Sequence, residues 1–487
     1  MSGGGSWAVA AVAAVTAGYA LVSRRLATTV VSAPMVFTAF GVAVGPAGLG
    51  LLSLDHDAGP VLTLVEGTLT LVLLTDAMSV RRRDLRVGGF LPRRLLGIAL
   101  PLTIGAGWLL AWPLLPGLTL WELALIGAIL APTDAALGES AVAGPGVPPL
   151  VRKGLKVESG LNDGMVLPFF VLFLAAIPGT AASAEGIAGT FWRALVLSTL
   201  LGLAIGGIGG WLLSASRARG WVTDEWRQVF VLAVAAGSYA LAVVIDGSGF
   251  IAAWVAGFAL GAALRQGARR AAVSAAEAVR AGAAGTAGTA GTSKEDAGAS
   301  AEQTGAGAGA SAEGGPAEGT AASDDTARPA ARLGDFLAAL SFLVFGAVLL
   351  GPQLQHLDWR IVVYAVLSLT VVRMVPVALS LAGTGLSLAT VAYAGWFGPR
   401  GLASVVFGLL VVEEHVPGTT LIGRVVALTI ALSILLHGLT AHFLADRYGD
   451  WHHRAAFRRP GLREGPPAPA RGPAPGPGPA PGRADTA

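Results

Sequence analysis

Apolar runs of a length that crosses a bilayer recur thirteen times along this 487-residue chain, and they leave it few possible folds. They lie near 6–23, 28–52, 60–79, 93–115, 121–143, 155–177, 187–213, 227–246, 248–266, 333–352, 360–382, 387–411 and 420–444. A spanning helix needs ~20 predominantly apolar residues, and lipid offers backbone polar groups no partner outside the segment. The expected fold is therefore an all-α polytopic membrane protein with about thirteen transmembrane helices. Composition agrees: 13% of residues are charged, against roughly 25% in soluble chains. There is no cysteine, which excludes disulfides and thiolate metal sites. The formal charge of +3 gives no ground for a nucleic-acid partner.

Loop charges test the count, because cytoplasmic loops carry the Lys/Arg excess. Basic residues follow the odd-numbered runs: Arg24 and Arg25 after the first, Arg81, Arg82, Arg83 and Arg86 after the third, Arg152 and Lys153 after the fifth. Arg217 and Arg219 follow the seventh, Arg269 and Arg270 the ninth, Arg447 and Arg454 the last. The loops 53–59, 113–120, 178–189 and 413–419 hold no Lys or Arg. The exceptions are 383–386, expected inside but uncharged, and Arg360, which lies at an outer edge. The alternation predicts an outside N-terminus and a cytoplasmic C-terminus. The first run has no preceding Lys or Arg, so it reads as a retained helix rather than a signal peptide. Four regions are expected: helices 1–9 over 1–270, a disordered cytoplasmic linker over 271–331, helices 10–13 over 332–446 and a disordered cytoplasmic tail over 447–487. The linker is rich in Ala, Gly, Ser, Thr and Glu, and the end of the tail in Pro, Gly and Ala, so neither can bury a core.

Charged groups inside apolar helices are expensive in a bilayer and mark functional sites by default. The sixth run opens with Lys156-Val157-Glu158-Ser159-Gly160-Leu161-Asn162-Asp163-Gly164. At ~100° per residue Ser159 and Asp163 share one face, Glu158 and Asn162 share a neighbouring one, and the two carboxylates diverge by roughly 140°. Gly160 and Gly164 form a small-residue pair that lets another helix approach. The fifth run contains Pro132-Thr133-Asp134. Proline breaks the helical ladder there, and irregular backbone at membrane depth is tolerated only where it lines a cavity or protein interior. Counting rise from the two faces brings Asp134 and Asp163 to similar mid-membrane depth. Converging oxygens from these carboxylates, Thr133 and Ser159 suit a hard cation such as Na⁺, K⁺ or H⁺.

Arg373 in the eleventh run and Arg400 in Gly398-Pro399-Arg400-Gly401 of the twelfth are buried cations that need anions. Glu158 is the expected partner of Arg373, and Arg400 offsets charge near the broken helix ends. Snorkelling to an interface is the alternative for both, more so for Arg400. Helices 4–6 and 11–13 read as triplets whose middle members, helices 5 and 12, are broken. An odd offset of seven makes them inverted repeats, and matched broken helices are the sequence pointer to a transporter's site. Glu66 in helix 3 is a candidate for the route to the site. His437 and His442 read as packing or interface residues. No G-x-x-x-x-G-K-[ST] phosphate loop supports ATP-driven pumping, and no cofactor is expected.

Thr133-Asp134, Glu158 to Gly164, Arg373 and Gly398-Pro399-Arg400-Gly401, in this order and spacing, resemble the sodium/hydrogen exchanger family, in its bacterial cation:proton antiporter-1 branch. The resemblance covers residues ~7–445. It implies a thirteen-helix inverted-repeat fold, a homodimer in the plasma membrane and electroneutral exchange of Na⁺ or K⁺ for H⁺ by an elevator-like motion. It implies that Asp163, Asp134, Thr133 and Ser159 bind the ion, that Asn162 holds the site and that Glu158 pairs with an arginine, placed here on Arg373. This chain departs from the family pattern in having Pro132 before the Thr-Asp pair with Ala135 after it, and Pro399 before Arg400. The rival readings are an intramembrane aspartyl enzyme, in which two carboxylates activate water, and a membrane sensor using an ion site.

Overall fold

The structure, a computed structural model, describes residues 3–26, 29–51, 58–80, 89–134, 137, 146–180, 183, 186–289, 318–355, 358–458 and 461–465. Among the described residues ten helices are long and apolar enough to cross a membrane, and three apolar helices are shorter. Together they fall on the thirteen expected runs. We number them α1 (Gly3–Leu26), α2 (Ala33–Val44), α3 (Ala58–Ser79), α4 (Phe90–Leu114), α5 (Leu120–Ile129), α6 (Pro149–Ala176) and α7 (Ile187–Ala218). Then follow α8 (Asp224–Val244), α9 (Gly249–Thr289), α10 (Glu318–Val344, continued through Phe345–Leu350 to Gly351–Gln353) and α11 (Trp359–Leu381). The last are α12a (Leu388–Trp396), α12b (Leu402–Glu413) and α13 (Thr419–Arg458).

Several boundaries differ from the expectation for local reasons. Helix α6 begins at Pro149, so Lys156 and Glu158 lie two turns inside it rather than in a loop. Proline suits that first position, where its missing N–H would be unpaired anyway. Helix α9 continues to Thr289 and α10 starts at Glu318, because the Ala-rich flanks of 271–331 have high helix propensity. Residues 290–317 of that segment, and 466–487 of the expected tail, lie outside the described residues. The π-helical stretches Leu95–Ala99 and Phe345–Leu350 each precede a proline, Pro101 and Pro352. A proline ring clashes with the carbonyl four residues back, and widening the turn relieves the clash. Helix α11 is interrupted at Thr370 (φ −108°, ψ −86°).

Two groups of helices emerge from the packing. Helix α3 packs with α8, α9 and α10, and α7 packs on α9 and α8, while α4–α6 and α11–α13 pack mainly among themselves. The first group is held closely by glycine: a Cβ on Gly202 or Gly210 of α7 would lie 2.5 Å from Ala252 O or 2.6 Å from Ala263 Cβ of α9. Such small-residue contacts replace the hydrophobic drive that lipid does not supply. In the second group α5 and α12b bury nearly every residue. Those all-round apolar helices lie at its centre, and their broken ends meet there.

Candidate functional site

The site begins where two helices stop. Helix α5 opens with a capping box between Thr119 and Glu122, whose carboxylate also accepts from Gly418 N–H at 2.6 Å. Its ladder ends at Leu130, two residues before Pro132, which has no N–H to continue it, and 132–134 are not helical. Helix 12 is non-helical between Trp396 and Leu402. These two non-helical stretches cross and satisfy each other. Asp134 N–H donates to Pro399 O at 2.7 Å, and Leu402 N–H donates to Asp134 Oδ2 at 3.0 Å. The Arg400 guanidinium donates to Ala131 O at 3.0 Å and Pro132 O at 3.3 Å, and Ser404 Oγ donates to Ile129 O at 2.7 Å. Arg400 N–H donates to Ser433 Oγ at 2.6 Å.

Helix ends leave unpaired N–H groups at the N-terminus and carbonyls at the C-terminus, with partial charges of matching sign. Here the anion Asp134 caps the N-terminus of α12b and the cation Arg400 caps the C-terminus of α5. Each charge is supplied by the opposite helix. Arg400 is 0% exposed, so it does not snorkel. The close approach of the two stretches also explains the glycines. A Cβ on Gly401 would overlap the Asp134 carboxylate, and one on Gly398 would lie 2.6 Å from Arg373 Nε and 3.1 Å from Thr133 Cγ2.

Helix α6 closes the other side. Ser159 Oγ donates to Thr133 O at 2.7 Å, and Asn162 Nδ2 donates to Thr133 O at 3.2 Å and to Thr133 Oγ1. Asn162 therefore joins Ser159, three residues away, rather than working with Glu158. Glu158 Oε1 pairs with Arg373 Nη2 at 2.8 Å, both side chains at 3% exposure or less. Asp163 is buried, and its Oδ1 accepts no hydrogen bond from the described residues.

The sequence places Asp76 near the cytoplasmic end of α3 and assigns it no part in the site. A Cβ on Gly160 would lie 3.7 Å from Asp76 Oδ2, so this carboxylate faces α6 one turn from Asp163. The available signal was a second acid in the third run, ten residues after Glu66 and just before the arginine cluster at 81–83. Glu66 itself is grouped elsewhere, within electrostatic range of Tyr239 of α8 and Glu413 of α12b. His437 is buried, with ring nitrogens 3.1 Å from Ser433 O and 3.0 Å from Trp396 O, and packs the back of the crossing. His442 is exposed, 3.6 Å from Asp446. Among the described residues no three His, Cys, Asp or Glu side chains are grouped as a metal-ion cluster would need.

The sequence profile described as "Sodium/hydrogen exchanger, transmembrane" matches residues 11–284 and 306–447. The chain belongs to the sodium/hydrogen exchanger family. It is accordingly a multi-pass membrane protein. A K(+)/H(+) antiporter NhaP2 of Shewanella oneidensis is 29% identical over 246 residues, 47% of this chain and 39% of that protein. A Na(+)/H(+) antiporter 2 of Zygosaccharomyces rouxii is 30% identical over 220 residues, 41% of this chain and 26% of that protein. The chain thus spans less than half the length of these curated relatives. The solved sodium proton antiporter MjNhaP1 of Methanocaldococcus jannaschii shares the fold, with a TM-score of 0.67 at 17% identity over 91% of this chain and 98% of that one. Within this exchanger fold the two unusual prolines are used through their carbonyls: Pro132 O accepts from Arg400, and Pro399 O from Asp134. Ala135 lies outside the described residues.

Proposed function

We propose that this chain is a secondary antiporter that exchanges a monovalent cation, Na⁺ or K⁺, for H⁺. One observation carries the reading: the buried Asp163 carboxylate has an oxygen with no hydrogen-bond donor among the described residues, beside two interrupted helices whose ends are already capped. A buried carboxylate without a partner is too costly to persist as a bare charge. It takes a proton or a cation, one at a time, and that exclusion is the coupling. Asp163 is the carrier. Asp134, Thr133 and Ser159 supply further oxygens, and Asp76 adds negative charge from α3. Asn162 orients Thr133. Glu158 and Arg373 neutralise each other, and Arg400 steadies the crossing, so the carrier's loading alone sets the charge that crosses. Glu66, beside Glu413, belongs to the approach from the α3 side. With one exchangeable carboxylate in α6 the exchange is electroneutral.

The loop charges support an outside N-terminus and a cytoplasmic C-terminus in the plasma membrane, with 271–331 as linker and 447–487 as tail. The family resemblance supports a homodimer, an elevator-like motion of the α4–α6 and α11–α13 group and a part in pH homeostasis. The relatives' printed activities agree with cation:proton exchange. Membership of an exchanger family removes the ground for an intramembrane aspartyl enzyme, and Asp134 is already committed to Leu402 N–H. The test is reconstitution into proteoliposomes with an imposed pH gradient, challenged in turn with Na⁺, K⁺ and Li⁺. Wild type dissipates the gradient on cation addition, and Asp163→Asn does not. Equal flux from Asp163→Asn removes Asp163 as the carrier.

A further inference from the structure

Helix α6 meets α9 closely at Gly164, the residue after the carrier Asp163. A Cβ there would overlap Cδ2, Cε2 and Nε1 of Trp254, so the pyrrole edge of the indole lies against the α6 backbone. Trp254 packs edge-on with Phe258 one turn along α9, centroids 5.0 Å apart at 82°. Both rest on an apolar cluster of Val157, Leu161 and Met165 of α6 with Val80 and Leu96. Spaced four residues apart, the three α6 residues form one stripe. The Trp254 Nε1–H is buried and makes no hydrogen bond to the described residues, one residue along α6 from the equally unmatched Asp163 Oδ1.

We propose that Trp254 is a gating residue: its indole closes the carrier's chamber against α9, and Gly164 is the bare backbone over which it slides. An apolar plug next to a charge carrier is what keeps water and protons from passing without the cation, since a bare ion does not cross a dry barrier. Indole suits the place because it combines a large apolar body with one polar edge. That edge lies against Gly164, the residue after Asp163, while the rest of the ring packs on the apolar stripe of α6. The absence of a side chain at Gly164 follows from the contact. Any Cβ would force the ring away and wedge the two helix groups against each other. The proposal rests on the exchange reading, because a gate has meaning only where something is carried.

The test uses the full-length chain in proteoliposomes. Wild type, Gly164→Ala, Trp254→Ala, Trp254→Phe and the double variant Gly164→Ala/Trp254→Ala are compared for cation-driven proton flux, cation-independent proton leak and apparent melting temperature. Overpacking at Gly164 is expected to slow exchange by roughly five- to hundred-fold. Removing the indole in the double variant relieves the clash, so cation-driven flux recovers above that of Gly164→Ala, over the same cation-independent leak as Trp254→Ala. Trp254→Ala alone leaks protons without cation, whereas Trp254→Phe stays tight. Gly164→Ala exchanging like wild type, a double variant as slow as Gly164→Ala, or a leak-free Trp254→Ala would each overturn the gate while leaving the exchange reading intact. A wild type with no cation-driven flux sinks the exchange reading, and the gate with it.

Discussion

The buried pair of Glu158 and Arg373 is the sharpest place to separate support from ion handling. Their 2.8 Å contact is made with both side chains almost fully out of solvent. Glu158→Ala leaves the guanidinium of Arg373 buried without its anion, and breaking such a pair from one side costs roughly 3–5 kcal/mol. Domains of roughly 150–250 residues shift by about 2–4 °C per kcal/mol and longer chains by less, so the apparent melting temperature falls by up to about 6–10 °C. The twelve tryptophans give the signal in detergent. Replacing both partners by apolar residues of similar size, Glu158→Leu with Arg373→Met, removes both charges at once and is close to neutral by the same reasoning. It recovers most of the lost temperature. Wherever Glu158→Ala folds, the half-saturating cation concentration stays near that of wild type, because Glu158 is engaged by Arg373 rather than facing the ion. A Glu158→Ala protein as stable as wild type but unable to respond to cation would refute the assignment.

Two further perturbations test the crossing and the C-terminal segment. Gly401→Ala places a methyl where the Asp134 carboxylate lies, so the cap on Leu402 N–H is lost and stability drops by about 1–3 kcal/mol; unchanged melting would mean that α12b does not depend on that cap. Glu464, beyond α13, accepts from Ser387 N–H at 2.7 Å and Thr390 Oγ1 at 2.8 Å, at the start of α12a. Burial pushes its carboxyl up, but the hydrogen bonds from Ser387 and Thr390 outweigh this and hold it below the ordinary 4.5. A depressed folded value means that the docking is fully present above about pH 4.5 and fades as pH falls through the lowered value. In this cysteine-free chain a single Leu462→Cys reports it by thiol labelling. Relative to an exposed thiol at the same pH, labelling rises on acidification below 4.5 in the parent. In Glu464→Gln it is already fast at neutral pH, and a pH-independent parent would contradict the docking.

The spans were legible because a bilayer imposes its thickness on the sequence. The breaks were legible because Pro132 and Gly398-Pro399 cannot continue a helix. The Glu158–Arg373 pair followed from the rule that buried charges find opposite partners. What the local pattern does not carry is which groups from helix 5 and helix 12 meet. Asp134 with Leu402 N–H, and Arg400 with Ala131 O, join residues about 270 positions apart through backbone atoms common to every residue type. Face arithmetic on an ideal helix placed Asn162 with Glu158. In the structure Asn162 turns to Thr133, because three- and four-residue spacings both reach the same neighbour. Trp254 was invisible for another reason: a tryptophan in an apolar run reads as packing until its contact with Gly164 is seen. Glu464 lies in a segment whose Pro/Gly composition conceals a single docked carboxylate.

The central claim is that one carboxylate, Asp163, holds either a proton or a cation and never both. The direct measurement is the cation dependence of proton flux in proteoliposomes at a series of pH values. Competition predicts that the half-saturating cation concentration climbs as the medium is acidified, by up to about tenfold per pH unit for one proton displacing one cation, with the maximal rate preserved. A half-saturating concentration that stays constant while the maximal rate falls would show that proton and cation occupy separate sites, and would contradict the account.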